Sequence, residues 1–222
     1  MSSSQKPAWF VTGTDTEGGK TFVSCALLHV LREAGVRAVG MKPIAAGTDS
    51  TGENDDVERL RAASAIAAPR DLVNPYLFAP AIAPHIAAQE AGRSIDIGHI
   101  VSAFVALREL ADAVLVEGVG GFCVPLGADI DTADLAERLA LPVILVVGMR
   151  LGCINHALLT VQAIAARQLT LAGWVANRID PDMRRFDENL AALSRRIGAP
   201  LLGVVPSRST PEQAARGLRL PV

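Results

Sequence analysis

The chain has 222 residues and a formal net charge of −2; half of the residues are hydrophobic and only 4% are aromatic. That length suits one domain with a core of Ala, Val, Leu and Ile, and the charge argues against a nucleic-acid-binding surface. No apolar run is long enough to span a membrane, the first residues lack a secretory apolar stretch, and Cys25, Cys123 and Cys153 are too scattered for a disulfide framework or zinc ribbon, so the expected setting is the reducing cytoplasm.

Ala8–Thr12 reads as the first strand, and a helix follows from about Lys20 to Ala34, ending at Gly35. Between them lies Gly13-Thr14-Asp15-Thr16-Glu17-Gly18-Gly19-Lys20-Thr21. A strand, a glycine-flanked loop ending in Gly-Lys-Thr, and a helix form the phosphate-binding P-loop arrangement. Its N–H groups can surround phosphate oxygens, its lysine can neutralise them, and its threonine can ligate Mg2+. The spacing departs from the usual pattern: five residues separate Gly13 from Gly19, and Thr14 stands where the first glycine would be.

Ala38–Lys42 is the second strand, and Pro43 keeps Lys42 extended, which could aim it at the P-loop edge. Lysine occurs only at Lys6, Lys20 and Lys42, against eighteen arginines. Lys20 and Lys42 therefore stand out as compact ammonium groups for phosphate or carboxylate. Gly47–Asp56 reads as a loop near the site and Val57–Ala67 as a helix; the acids Asp55 and Asp56 suit either helix capping or a metal. Pro69–Pro84 holds four prolines and is expected to be irregular.

His85–Ala91 and Ile97–Ala111 read as helices. Ala113–Glu117 reads as a buried parallel strand, and Glu117, before Gly118, Gly120 and Gly121, is a candidate second Mg2+ anchor. Thr132–Leu141 reads as a helix, Val143–Val147 as a strand and Asn155–Arg167 as a helix. The segment Gly148–His156 between those last two offers a second anion site at a helix start. Cys153 lacks a neighbouring base and reads as structural, while His85 and His156 suit acid–base or loop hydrogen-bonding roles. Leu171–Asn177 is a strand whose terminal Asn177 amide suits a purine edge or a turn; Met183–Ile197 is a helix and Leu201–Val205 a strand. The alternation predicts an α/β fold: a mostly parallel β-sheet with helices on both faces, in a single P-loop domain over residues 1–222.

Together these residues resemble the ATP-dependent dethiobiotin synthetase family. The resemblance rests on Phe10–Glu17 with Gly19-Lys20-Thr21, Lys42-Pro43, Pro84-His85, Val116-Glu117-Gly118 with Gly120-Gly121, Leu151–His156 and Trp174–Asn177. The stretched P-loop is that family's own form. The resemblance implies that 7,8-diaminopelargonate, CO2 and ATP give dethiobiotin, ADP and phosphate, through a carbamate and a carbamic–phosphoric anhydride. It places Lys20, Lys42 and Thr16 at the reacting groups, with Lys42 toward the carbamate, and gives Mg2+ to Thr21, Asp56 and Glu117. ATP would contact Glu17, Gly18, Gly19, Lys20, Thr21 and Phe22 of the P-loop, then Asp56, Glu117, Gly118, Val119 and Gly120. Its nucleoside would meet Asn177, Arg178, Pro206, Ser207, Arg208 and Glu212. The diamine would be held by Thr16 and Lys42, with its carboxylate at Gly152, Cys153, Ile154 and Asn155 across a homodimer interface. Ala46 stands where many relatives carry a hydroxyl residue, so no polar role is expected of it.

Two other readings share the architecture. A nucleotide-switch ATPase usually carries an additional lysine early in its P-loop, and residues 14–19 contain none. A simple small-molecule kinase leaves Gly152–His156 without a task.

Overall fold

Strands buried along their whole length build the fold. The computed structural model describes residues 6–221. In chain order the elements are β1 (Ala8–Gly13), α1 (Lys20–Glu33), β2 (Ala38–Met41), β3 (Ile44–Ala46), α2 (Asp55–Ala63), α3 (Arg70–Val73), β4 (Tyr76–Phe78), α4 (Pro84–Glu90) and α5 (Ile97–Leu110). There follow β5 (Ala113–Glu117), α6 (Thr132–Leu139), β6 (Val143–Gly148), α7 (Cys153–Ala166), β7 (Leu171–Asn177), α8 (Phe186–Arg196), β8 (Leu201–Val205) and α9 (Pro211–Ala215).

The main sheet has six strands in the order β2-β5-β1-β6-β7-β8, and every pairing is parallel. Successive side chains of a strand point to opposite faces. Val11, Leu115, Ile144, Val146 and Val175 accordingly pack with α1, Leu60 of α2 and Ala214 of α9. Their neighbours Phe10, Val114, Val116 and Val143 pack with Ile100, Phe104 and Leu107 of α5 and Leu135 of α6. Leu145, Val147, Trp174 and Ala176 continue that face against Cys153 and Ala157 of α7 and Leu193 of α8. Burial on both faces explains why these strands read as continuous apolar runs.

Parallel strands put all their C-terminal ends on one edge. Gly13, Met41, Glu117, Gly148, Asn177 and Val205 end the six strands there. The loops that follow them make the site.

The expectation that Pro69–Pro84 is irregular is corrected: it contains α3 and β4. β4 pairs with β3 in a separate two-stranded parallel sheet, which places Ile44 opposite Tyr76. Pro75 and Pro80 merely flank β4, where a missing N–H costs no ladder bond. The α2 helix begins earlier than expected and stops at Ala63, four residues before Ala67, because Ser64 is extended and its hydroxyl donates to Leu60 O.

Candidate active site

The P-loop leaves β1 at Gly13 and enters α1 through Gly19, whose φ of 82° is left-handed. A side chain at Gly19 would also collide with the Asn177 amide, its Cβ falling 2.1 Å from Nδ2. Glycine satisfies both demands at that position. Lys20 and Thr21 then open the helix and are both buried.

Lys20 Nζ donates to the main-chain oxygens of Asp15, at 2.9 Å, and Thr16, at 3.4 Å. Its pKa is lowered to about 8, first by burial and then by the nearby Lys42 ammonium. Lys42 follows β2 and is only 4% exposed. Its Nζ donates to Glu117 Oε1 at 2.6 Å and to Gly118 O at 3.1 Å, and lies 3.4 Å from Asp56 Oδ2. Burial opposes the Lys42 charge, yet the Glu117 and Asp56 carboxylates outweigh it and raise its pKa. The two lysines thus sit in one pocket with opposite electrostatic balances.

Thr21 Oγ1 donates to the same Glu117 oxygen at 2.7 Å. Glu117 is fully buried, and its other oxygen, Oε2, has no hydrogen-bond partner among the described residues. Burial works against the Asp56 carboxylate, but Lys42 and the Thr21 hydroxyl prevail and its pKa is lowered. Asp55 turns outward to Arg59 at 2.8 Å, and the α2 N-terminus is capped by Asn54, whose side chain accepts from Val57 N. Asn54 therefore frees both acids from capping, and Asp56 is the one that faces the lysine.

Thr16, Glu17, Gly19, Lys20, Thr21, Phe22, Lys42, Ala46, Asp56, Val119 and Gly120 line a cavity of about 270 Å3. Next to it, across Phe22, Asn177, Arg178, Pro206, Ser207 and Arg208 line a second one of about 240 Å3. Glu212 belongs to a neighbouring groove, where it lies 3.2 Å from His29 Nε2. Asn177 is committed on one side: Nδ2 donates to Gly18 O at 3.0 Å, which ties β7 to the P-loop. Arg178 is turned toward Pro181 O and lies over the Phe186 ring.

Gly152–Asn155 opens α7 beside the P-loop but outside the cavity around Lys42. Gly152 has a φ of 95°, and Cys153 is buried with its thiol pKa raised by burial, which suits packing better than nucleophilic attack. Leu151, just before the helix, is 95% exposed. His85 lies in the first turn of α4, and its Nδ1 is buried without a hydrogen-bond partner among the described residues.

Sequence reasoning passed over Asp15, Asn54, Arg59 and Arg150. Asn54 followed by Val57 was a readable cap spacing. The contact between Arg150 and Asp15 joins residues too distant in sequence to carry a local signal.

Among the described residues, no cluster of three His, Cys, Asp or Glu side chains could hold a metal ion. The donor set here is two carboxylates and a hydroxyl beside a phosphate-binding loop. Mg2+ favours such sparse protein sites because it keeps water and phosphate ligands.

A family model described as an AAA domain matches residues 8–215. The chain is 64% identical to the ATP-dependent dethiobiotin synthetase BioD of Aromatoleum aromaticum, over 96% of this chain and 97% of that protein. It is 53% identical to the protein of the same name from Xylella fastidiosa, over 90% of this chain and 89% of that one. Among solved structures, a ParA family ATPase from Chlorobium tepidum superposes with a TM-score of 0.59 at 13% identity, covering 92% of this chain and 85% of that one. The septum site-determining protein MinD of Pyrococcus horikoshii gives 0.53 at 16% identity, covering 94% and 86%. These two share the fold alone, whereas the relatives match along nearly the whole sequence, and the chain belongs to the ATP-dependent dethiobiotin synthetase family.

Proposed function

We propose that this chain is the ligase that closes the ureido ring of dethiobiotin from 7,8-diaminopelargonate and CO2, with ATP and Mg2+, in the cytoplasm. The observation that carries this reading is the convergence of Lys20 and Lys42 on one cavity, with Thr21, Asp56 and Glu117 beside them. A carbamate and a triphosphate repel each other in water. Two buried ammonium groups and the N–H groups of the P-loop offset that repulsion and align the reacting oxygens.

Each residue has a task in this reading. Lys20 leaves the main-chain oxygens of Asp15 and Thr16 for the phosphates, and its charge is favoured there. Lys42 now serves as counter-ion to Glu117 and Asp56. Thr21, Asp56 and Glu117, whose Oε2 has no hydrogen-bond partner among the described residues, would hold Mg2+, which would supply charge neutralisation to the phosphates. Lys42 also faces the cavity, where its ammonium would meet the carbamate. Asn177, Arg178, Pro206, Ser207 and Arg208 take the nucleoside, with Glu212 at its outer side. Thr16 and Glu17 face the diamine.

The same reading includes a homodimer. Leu151 is 95% exposed and Leu159 of α7 is 56% exposed, an apolar pair that a second copy would cover. The α7 start then receives the diamine carboxylate at the interface. The test is phosphate release from ATP with Mg2+ and bicarbonate, with and without the diamine. The reading expects release that depends on the diamine; turnover indifferent to it would reject the reading.

A further inference from the structure

A P-loop that binds phosphate carries an acid at Asp15, and the charge of that acid needs an explanation. Asp15 is a hub. Its Oδ1 accepts from Thr16 N at 2.7 Å, which folds the loop, and its main-chain oxygen receives Lys20 Nζ at 2.9 Å. Its Oδ2 is paired with the guanidinium of Arg150, which comes from the connection between β6 and α7. The main-chain oxygen of Arg150 accepts from Cys153 N at 3.0 Å, so the same residue also closes the first turn of α7. The two loops already touch beneath this bridge. A Cβ on Gly148 would lie 3.0 Å from Gly18 Cα and 2.8 Å from Ile179 Cδ1. Thr14 N also donates to Val146 O at 3.1 Å.

We propose that Arg150 is a positioning residue for the nucleotide loop: it cancels the charge of Asp15 and holds the Asp15–Lys20 turn, linking the phosphate-binding loop to the start of α7. This rests on the reading of the site as an ATP site. Each partner's side chain is 37% exposed. A pair so exposed adds little to fold stability. Its effect is felt where a second anion arrives. Without Arg150, the Asp15 carboxylate stands uncompensated beside a triphosphate, and the repulsion is expected to weaken binding on the order of tenfold.

Calorimetric titration of Mg2+ with a non-hydrolysable ATP analogue tests this in wild type, Arg150→Gln, Arg150→Lys, Asp15→Asn and the Asp15→Asn/Arg150→Gln double variant. Arg150→Gln is expected to bind about tenfold more weakly with an almost unchanged melting temperature, and Arg150→Lys to recover most of the loss. The double variant should bind more tightly than Arg150→Gln alone, because the unpaired acid has gone. Wild-type affinity in Arg150→Gln, or a double variant no better than that single one, overturns the proposal. Because the diamine is absent, a failed bridge is distinct from a failed ligase reading; a wild-type chain that binds no nucleotide rejects both.

Discussion

At the residue scale, the two lysines in one pocket behave differently because their neighbours differ. Lys42 has two carboxylates and keeps its proton; Lys20 has only main-chain oxygens, and burial lowers its pKa to about 8. Between that value and the ordinary lysine range, the folded chain holds fewer protons at Lys20 than the unfolded chain does. The destabilising contribution is therefore present at neutral pH and relieved as the pH rises. Phosphate reverses the balance by favouring the ammonium. ATP binding should take up protons near pH 8, and the association constant should fall by about tenfold per pH unit above it. Calorimetry in buffers of different ionisation enthalpy reads that uptake directly, and binding with no proton uptake at pH 8 would contradict this account of Lys20. The prominence of these two lysines was legible from composition, since arginine is otherwise the basic residue of the chain. The ion pair of Lys42 with Glu117 was not, and neither was the Asn177–Gly18 bond, because each joins residues far apart in sequence.

At the element scale, three strands of the main sheet were legible to the residue, and β1, β2 and β6 to within one residue at their C-terminal ends. Ala113–Glu117, Leu171–Asn177 and Leu201–Val205 have the bounds expected of them, because continuous apolar runs between polar loops leave little choice. The short elements were hidden for a physical reason. β3 has three residues after Pro43 and β4 has three between Pro75 and Pro80, too few for a period to show. The α9 helix had a signal that went unread: Thr210 and Gln213 form a capping box with Pro211 at the first turn. The α7 helix is the element that carries the dimer reading. Leu151→Asp with Leu159→Glu should give a folded monomer by sedimentation velocity, against a dimer for the wild type. Monomeric wild type, or an unchanged dimer in the variant, would remove α7 from the interface.

At the scale of the whole molecule, one architectural fact organises the chemistry. Six parallel strands end on one edge, and each loop there delivers one part. The loop after β1 offers N–H groups and Lys20, and that after β2 offers Lys42. The loop after β5 follows Glu117, the connection after β6 leads into α7, and those after β7 and β8 border the cavity lined by Asn177 and Pro206. Fold neighbours such as the ParA family ATPase share the sheet at 13% identity, so the architecture alone does not select the reaction. In the proposed reading, the selection lies in the second lysine and the α7 start. Carbon-13 bicarbonate supplied with the diamine, ATP and Mg2+ addresses this most directly, read by mass spectrometry and carbon NMR alongside phosphate release. The account predicts a cyclic urea whose carbonyl carries the label, with one phosphate released for each ring closed. ATP consumed without label entering the diamine, or a phosphorylated product that retains both amines, would contradict it.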